Sequence, residues 1–258
     1  MLAIWLKQSP MTLHLLQTAI AQKTAVKIIS GLTNFDFDRV ASVVRAADQG
    51  GATFIDIAAD PNLVKLAKSL TDLPICVSAV EPAKFAAAVA VGADLIEIGN
   101  FDAFYAQGRR FEAEEVLALT RETRSLLPNI MLSVTVPHIL TLDRQVQLAE
   151  QLVKAGANLI QTEGGTSSAP AHAGTLGLIE KAAPTLAAAY EISRAVSVPV
   201  LCASGLSNVT AGLAIAAGAS GIGVGSAVNQ LNSEVAMVAV VRSLVEAIAA
   251  APVRSYVG

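Results

Sequence analysis

The chain has 258 residues, a formal net charge of −3 and only 15% charged residues. This length suits one large domain with a substantial core, and the slightly acidic balance excludes a basic surface for nucleic acid. Apolar residues make up 53% of the chain, but Gly, Ser, Asn and Pro interrupt its longest uncharged run, residues 195–233, which excludes a membrane-spanning helix there.

The N-terminal residues predict no secretory signal. The apolar start before Lys7 is shorter than the apolar core of a signal peptide, which has roughly 7–15 residues. Cys76 and Cys202 each lie inside an aliphatic run, which is typical of buried thiols in a reducing compartment. The sequence therefore predicts a cytoplasmic protein whose partners are neither membranes nor nucleic acids.

Strands and helices are predicted to alternate along the whole chain. A short helix comes first, over residues 12–22, and helical periodicity recurs between the later apolar segments, as over 37–49, 82–91, 113–127 and 143–155. Every second apolar segment begins with Gly-Ala, as in GATFIDIA, GADLIEIG, GANLIQTE and GASGIGVG. The eight predicted strands lie near residues 25–30, 52–57, 74–79, 94–98, 130–135, 158–163, 199–204 and 220–224.

This repeat predicts an α/β fold, a (β/α)8 TIM barrel that forms a single domain over residues 1–258. Alternating strands and helices indicate a parallel sheet, and eight such units in about 250 residues are typical of a closed barrel. A doubly wound open sheet is the alternative, but the regular alternation to the end of the chain favours closure. The helix over residues 12–22 is then predicted to cover the bottom of the barrel.

The eighth predicted strand carries three closely spaced glycines, in GIGVGSA. Their G-x-G-x-G spacing, with no strand after it, does not fit a dinucleotide fingerprint. In TIM barrels the loops after strands 7 and 8 frequently bind phosphate, and glycine lets the backbone N–H groups approach it. The alternative is that these glycines only pack tight turns. The predicted phosphate contacts, made by backbone dipoles and not by lysines, are Ser204, Gly205, Gly223, Gly225 and Ser226.

Polar residues recur at equivalent positions of the Gly-Ala strands. Five residues beyond each glycine lie Asp56, Glu97, Gln161 and Gly223, which are expected to form one interior layer of the barrel. An unpaired buried carboxylate is costly, so Lys27 in the first strand is the expected partner. Lys27, Asp56 and Glu97 are predicted to be catalytic. The alternative is an interior ion-pair network that only closes the barrel floor.

Glu163, at the end of the sixth strand, is the fourth predicted catalytic residue. It begins EGGTSSAPAHAGTLGLIE, which is long enough to predict a glycine-hinged lid with polar contacts from Ser167, Ser168 and His172, or else a flexible surface excursion. His138, after the fifth strand, is either a proton carrier or a structural loop histidine. Three dispersed histidines without a C-x-x-C pair predict no metal site.

The last helical segment, residues 235–248, is apolar almost all round. A helix of this kind is typically covered on both sides. We therefore expect that a second subunit covers part of it, as in a homodimer.

Six stretches of the sequence resemble the conserved hypothetical chloroplast reading frame twenty-three family, whose members are encoded in cyanobacteria and in algal plastid genomes. The resemblance implies an aldolase-type barrel and supplies no catalytic residues, because the family has no agreed activity. The last stretch is also similar to the end of phosphate-binding barrels such as thiazole synthase, sugar-phosphate epimerases and enzymes of histidine and tryptophan biosynthesis. The stretches are VKIISGLTNFD (26–36), FIDIAADP (54–61), ICVSAVEP (75–82), LIEIGNFDAFY (95–105), IQTEGGTSS (160–168) and CASGLSNVTAGLAIAAGASGIGVGSAVN (202–229).

These observations predict an enzyme, a lyase, isomerase or synthase, that acts on a small phosphorylated metabolite and requires no cofactor. Two alternatives stay open. The same glycines can hold the phosphate of FMN in an oxidoreductase, which would make the purified protein coloured. A non-catalytic phosphate-ligand-binding or regulatory protein can keep the phosphate site without turnover.

Overall fold

The computed structural model describes residues 10–105, 107–164 and 170–251. Eight parallel strands, paired in sequence order, close into a barrel in which the first strand also pairs with the eighth. The predicted fold class is therefore confirmed. The strands are β1 (Ala25–Gly31), β2 (Phe54–Ala58), β3 (Ile75–Ala79), β4 (Leu95–Ile98), β5 (Met131–Thr135), β6 (Leu159–Gln161), β7 (Val200–Ala203) and β8 (Gly221–Val224).

Helices follow the strands and surround the barrel. Asp36 and Asp60 precede the second and third helices, and their carboxylates accept hydrogen bonds from the first free N–H groups of those helices. The helices are α1 (Pro10–Ala21), α2 (Phe37–Gly50), α3 (Pro61–Leu70), α4 (Ala83–Ala90), α5 (Asp102–Tyr105), α6 (Ala113–Leu126), α7 (Leu142–Lys154), α8 (Gly174–Ala195), α9 (Ala211–Ala216), α10 (Ser226–Asn229) and α11 (Glu234–Ala249).

Strand residues alternate between two buried layers, which explains why the strands are apolar throughout. In β4, Ile96 and Ile98 join the core between the strands and the helices. Leu95 and Glu97 face the barrel interior, where Leu95 packs in a lower apolar cluster and Glu97 accepts a hydrogen bond from Ser133 of β5. A polar residue on the interior face, such as Glu97, therefore contacts interior side chains of neighbouring strands and not the surrounding helices.

Helix α1 covers the bottom of the barrel, as predicted. Leu16 and Ile20 are buried in a cluster with residues at the amino-terminal ends of the strands. Burial of apolar area contributes about 25 cal/mol per Å², so this plug both stabilises the barrel and excludes water from its lower end. The strand residues in the cluster are Ala25, Phe54, Cys76, Leu95, Leu159 and Leu201.

Helix α11 packs against α2 of the same chain. Val241 is buried so close to Gly50 that a Cβ there would lie 2.5 Å from the valine, and Arg45 pairs with Glu234 at 2.8 Å. Val235, on the opposite face, is 80% exposed. The chain itself therefore covers one face of α11, and a second subunit on the other stays a prediction. Within the described ranges, we find no helix with the length and apolar character needed to cross a membrane.

Candidate active site

A cavity of about 590 Å³ opens at the carboxyl ends of the strands. Loops after β7 and β8 form part of its wall, and Glu163 and Asp102 form another part. The two parts meet where Ser204 Oγ donates to Asp102 Oδ2 at 3.4 Å. TIM barrels place their active sites at this end of the barrel. The cavity brings together all five residues predicted to contact phosphate, Ser204, Gly205, Gly223, Gly225 and Ser226.

The turn after β7 has a conformation that requires glycine at its second position. Ser204 and Gly205 have φ values of 77° and 72°, and a Cβ on Gly205 would lie 2.6 Å from the carbonyl oxygen of Lys181. This turn therefore packs directly against α8. Lys181 also lines the cavity, so a lysine as well as backbone dipoles lies near these loops. Sequence reasoning did not single out Lys181, because this residue lies more than 20 residues before the uncharged glycine loops.

Gly225 differs from the other glycines of this region. A Cβ on Gly221 would clash with the carbonyl oxygen of Ala25, so packing alone accounts for that glycine. A Cβ on Gly225 would lie no closer than 3.4 Å to any neighbour, and its φ of −115° suits any residue. Neither packing nor backbone strain therefore requires glycine at position 225. Close approach of a ligand to the backbone would account for a glycine at this position.

The predicted interior layer contains a fully buried ion-pair network. Lys27 Nζ lies 2.7 Å from Glu97 Oε2 and 4.0 Å from Asp56 Oδ2, and all three side chains are 0% exposed. Ser133 donates to Glu97 at 2.7 Å, and Ser78 donates to Asp56 at 2.5 Å. Each carboxylate is thus paired and hydrogen-bonded, the condition under which buried charges are tolerated.

Two amide side chains separate this network from the cavity. Asn100 Nδ2 donates to Asp56 at 3.1 Å, and Gln161 Nε2 donates to Glu97 at 2.8 Å. Both amides line the cavity, whereas none of Lys27, Asp56 and Glu97 does. These three predicted catalytic residues therefore lie beneath the cavity floor, and Asn100 and Gln161 are the groups that a ligand would touch.

Burial and mutual charges set the protonation of the network. Burial raises the pKa of Asp56, the Lys27 charge lowers it and the Glu97 charge raises it again, to about 6. Burial lowers the pKa of Lys27, but the charges of Glu97 and Asp56 outweigh it and hold the pKa above its ordinary value. Lys27 is therefore an ammonium ion at neutral pH, and a Schiff-base role, which needs the free amine, is not supported.

Asp56 is expected to make stability depend on pH. Its pKa is about 6 in the folded chain against an ordinary 3.8, so between these values the native state binds more protons than the unfolded state. The free energy of unfolding contributed by Asp56 therefore decreases as the pH rises from about 4 to about 6. Relative to wild type, Asp56→Asn is expected to become more stable across this window, measured by urea unfolding at several pH values. The control is Asp72→Asn, at an exposed position. If the difference in free energy of unfolding between wild type and Asp56→Asn did not change with pH, this assignment would be contradicted.

Glu163 forms a second polar cluster in the cavity wall. It is 4% exposed and accepts hydrogen bonds from Asp102 N, Tyr105 Oη and His138 Nδ1, each at 3.0 Å. Asp102 Oδ1 lies 3.4 Å from the same histidine nitrogen. The cluster therefore joins the ends of β6 and β5 to α5, which follows β4.

Contact with Glu163 favours the protonated forms of His138 and Tyr105. Burial lowers the pKa of His138, but the hydrogen bond and charge of Glu163 and the charge of Asp102 outweigh it and raise the pKa. Burial and Glu163 also raise the pKa of Tyr105, so its hydroxyl stays protonated and donates. The contact with Glu163 is compatible with both interpretations of His138, a proton carrier and a structural loop histidine. Asp102 and Tyr105 were not predicted, although their position directly after an acidic strand was a usable signal.

Asp102, His138 and Glu163 also offer ligand atoms that lie within 4.8 Å of one another. Imidazole and carboxylate groups suit several divalent cations. Hydrogen bonds from Tyr105 and the Asp102 backbone already satisfy Glu163, so the arrangement needs no metal to account for it. The sequence predicted no metal site because these three residues come from separate loops without a spacing motif.

The segment predicted to be a lid, residues 163–180, overlaps the start of a helix in the structure. Helix α8 already begins at Gly174, so Gly174 and Gly177 lie within a helix and are not loop hinges, which corrects that part of the prediction. His172 is exposed and bonds Glu180 at 2.6 Å. Pro170 lines the cavity. Ser167 and Ser168 lie outside the described residues.

The closed barrel with its cavity at the carboxyl ends of the strands defines the class of this protein, the TIM barrels. Residues 11–254 match the family described as "Protein of unknown function (DUF561)". The chain is also 47% identical over 220 residues to "Uncharacterized protein ycf23" of Cyanophora paradoxa, a match that covers 85% of this chain and 90% of the relative. The chain therefore belongs to the ycf23 family, which confirms the family seen in the sequence.

Solved structures of other TIM barrels share the fold. Thiamine phosphate pyrophosphorylase from Pyrococcus furiosus aligns with a TM-score of 0.57 at 20% identity, covering 88% of this chain and 96% of that one. (S)-3-O-geranylgeranylglyceryl phosphate synthase from Thermoplasma acidophilum, solved with sn-glycerol-1-phosphate, aligns with a TM-score of 0.60 at 16% identity, covering 96% and 99%. At these identities the likeness shows the fold alone.

Proposed function

We propose that the protein is an enzyme, a lyase, isomerase or synthase, that moves a proton next to a carbonyl group of a small phosphorylated metabolite. The phosphoryl group binds between the loops after β7 and β8, and Glu163 with His138 transfers the proton. The observation that carries the proposal is Gly225, which borders the cavity and which neither packing nor backbone strain requires to be glycine.

Several groups on one side of the cavity suit a phosphoryl group. Gly205, Gly225 and Ser226 offer backbone N–H groups with little side-chain obstruction. The Ser204 hydroxyl lies beside them and donates to Asp102 Oδ2 at 3.4 Å. Lys181 supplies a positive charge on the same side. The structural relatives named above, whose names or bound ligand include a phosphate ester, give further support. Backbone dipoles and one lysine together favour an anion at this position.

The part of the cavity wall that Glu163 forms suits proton transfer. Glu163 is buried but lines the cavity, where a ligand can reach it. Tyr105 and His138 donate hydrogen bonds to its carboxylate. A carboxylate and an imidazole in contact can pass a proton between substrate and protein, which is general acid–base catalysis. Lys27, Asp56 and Glu97 are assigned a positioning role, because they hold Asn100 and Gln161 from beneath.

Proton transfer at carbon can be measured without knowing the full reaction. We expect the protein to exchange a C–H proton next to the carbonyl of at least one phosphorylated keto or aldehyde compound with solvent deuterium, followed by proton NMR in D₂O. Glu163→Gln is expected to slow this exchange by at least ~100-fold, the usual contribution of a general base. Exposed Glu150→Gln is the matched control and should leave the rate unchanged.

The same experiment separates an enzyme from a binding protein. A phosphorylated compound that binds wild type but never exchanges would indicate the non-catalytic alternative. Exchange that persists at the wild-type rate in a folded Glu163→Gln variant would remove Glu163 from its proposed role. Circular dichroism of both variants establishes that each is folded.

A further inference from the structure

The floor of the cavity carries a buried acceptor that no donor among the described residues uses. Gln161 is 1% exposed and lines the cavity. Among the residues that the structure describes, no donor reaches its Oε1 atom. A buried amide oxygen without a hydrogen bond costs about 1–3 kcal/mol, so this arrangement needs a reason.

The buried network fixes which way the amide of Gln161 points. Its Nε2 donates to Glu97 Oε1 at 2.8 Å and to Thr135 Oγ1 at 3.3 Å. The opposite orientation would place an amide oxygen against a carboxylate oxygen, which is repulsive. Glu97 in turn is held by Lys27 and Ser133. The interior ion pair therefore fixes the orientation of the amide, with Nε2 toward Glu97 and Oε1 directed away from it.

Oε1 lies beside Gly223 at the bottom of the cavity. A Cβ on Gly223 would come within 3.2 Å of this oxygen, so the glycine leaves the approach to it open. Gly225, at the proposed phosphate position, lies two residues further along the chain, which corresponds to about 6.6 Å in a strand. A short carbon chain spans this separation.

We propose that Gln161 Oε1 accepts a hydrogen bond from a hydroxyl or amino group of the ligand. The substrate class is then a phosphate ester of a two- to four-carbon chain that carries such a donor beyond the ester oxygen. This inference rests on the proposed phosphate site, and it adds the group that the floor of the cavity recognises. Gln161 is thereby a specificity-determining residue and not a proton carrier.

Matched ligands test the inference on the full chain. Dissociation constants are measured by calorimetry for n-propyl phosphate and for alkyl phosphates of two, three and four carbons that end in a hydroxyl or amino group. At least one donor-bearing ester is expected to bind wild type about tenfold or more tightly than n-propyl phosphate, as a hydrogen bond to a buried group provides. This comparison needs no variant.

Gln161→Met then removes the acceptor at similar side-chain length. We expect it to abolish the preference for the donor-bearing ester while changing the affinity for n-propyl phosphate less than ~3-fold. Gln145→Met is the control, because Gln145 is also a buried glutamine whose Oε1 has no partner among the described residues, but it lies on α7 outside the cavity.

The outcomes separate the two proposals. If n-propyl phosphate binds and no donor-bearing ester is preferred, the role of Gln161 is overturned while the phosphate site stands. A preference that survives in a folded Gln161→Met variant overturns it too. If no alkyl phosphate binds at all, the phosphate site itself fails, and this inference fails with it.

Discussion

Lys27→Met is expected to lower the free energy of unfolding by about 3–5 kcal/mol, the usual cost of removing one partner of a buried ion pair. Methionine keeps most of the volume of lysine, so the loss reports charge more than packing. The variant leaves Glu97 and Asp56 fully buried without their cation. Urea unfolding at pH 7, followed by circular dichroism, measures the difference.

An exposed ion pair and a second substitution provide the controls. Arg45 pairs with Glu234 at 2.8 Å, but the side chains are 38% and 33% exposed, so Arg45→Met is expected to cost less than about 1 kcal/mol. Adding Glu97→Gln to Lys27→Met removes one of the two stranded carboxylates and is expected to recover part of the stability. A Lys27→Met variant as stable as Arg45→Met would contradict the buried network.

Gly225→Ala is expected to weaken the binding of n-propyl phosphate at least ~10-fold with little change in stability. The added methyl meets Ile29 at ordinary contact distances of 3.4 and 3.5 Å, and the backbone conformation suits alanine. The methyl instead occupies space at the cavity wall, where it prevents a phosphoryl oxygen from reaching the backbone N–H groups. Calorimetric titration measures the affinity, and urea unfolding measures the stability.

Gly212→Ala is the matched control for this prediction. Gly212 lies in α9, a Cβ there would lie 3.7 Å from its nearest neighbour, and the position is outside the cavity. The variant should bind n-propyl phosphate as wild type does, and alanine in a helix should raise its stability by up to about 1 kcal/mol. Equal affinities for Gly225→Ala and wild type would remove Gly225 from the phosphate site.

The barrel and its interior layer could be predicted because they follow from periodicity. The Gly-Ala repeat aligns four strands, and the two-residue period of a strand then places Asp56, Glu97, Gln161 and Gly223 on one face. The cost of burying a carboxylate alone points to Lys27 as the partner. The structure contains this layer, with Lys27, Glu97 and Gln161 in direct contact.

The floor above this layer could not be predicted, because it depends on backbone conformation after a strand. Asn100 reaches over Asp56 from a left-handed φ of 60°, and Gly99 before it has no room for a Cβ beside Thr135. No pattern of residue types specifies such a turn. For this reason the sequence placed Lys27, Asp56 and Glu97 at the reacting centre, whereas Asn100 and Gln161 lie between them and the cavity.

The start of α8 was missed for a different reason. Gly174 and Gly177 have poor helix propensity and indicate a loop when read locally. In the folded chain the helix packs its buried face against the barrel, where Thr185 bonds the carbonyl oxygen of Ala203 at 2.5 Å and Thr162 at 2.6 Å. Tertiary contacts of this kind override local propensity.

A crystal of the protein grown with n-propyl phosphate tests the central claim most directly. The account predicts electron density for the phosphoryl group within hydrogen-bond distance of the backbone N–H groups of Gly205 and Gly225 or Ser226, with the alkyl chain directed toward Gly223 and Gln161. Density for the phosphoryl group on the Glu163 side of the cavity, or bound ester only outside the cavity, would contradict it.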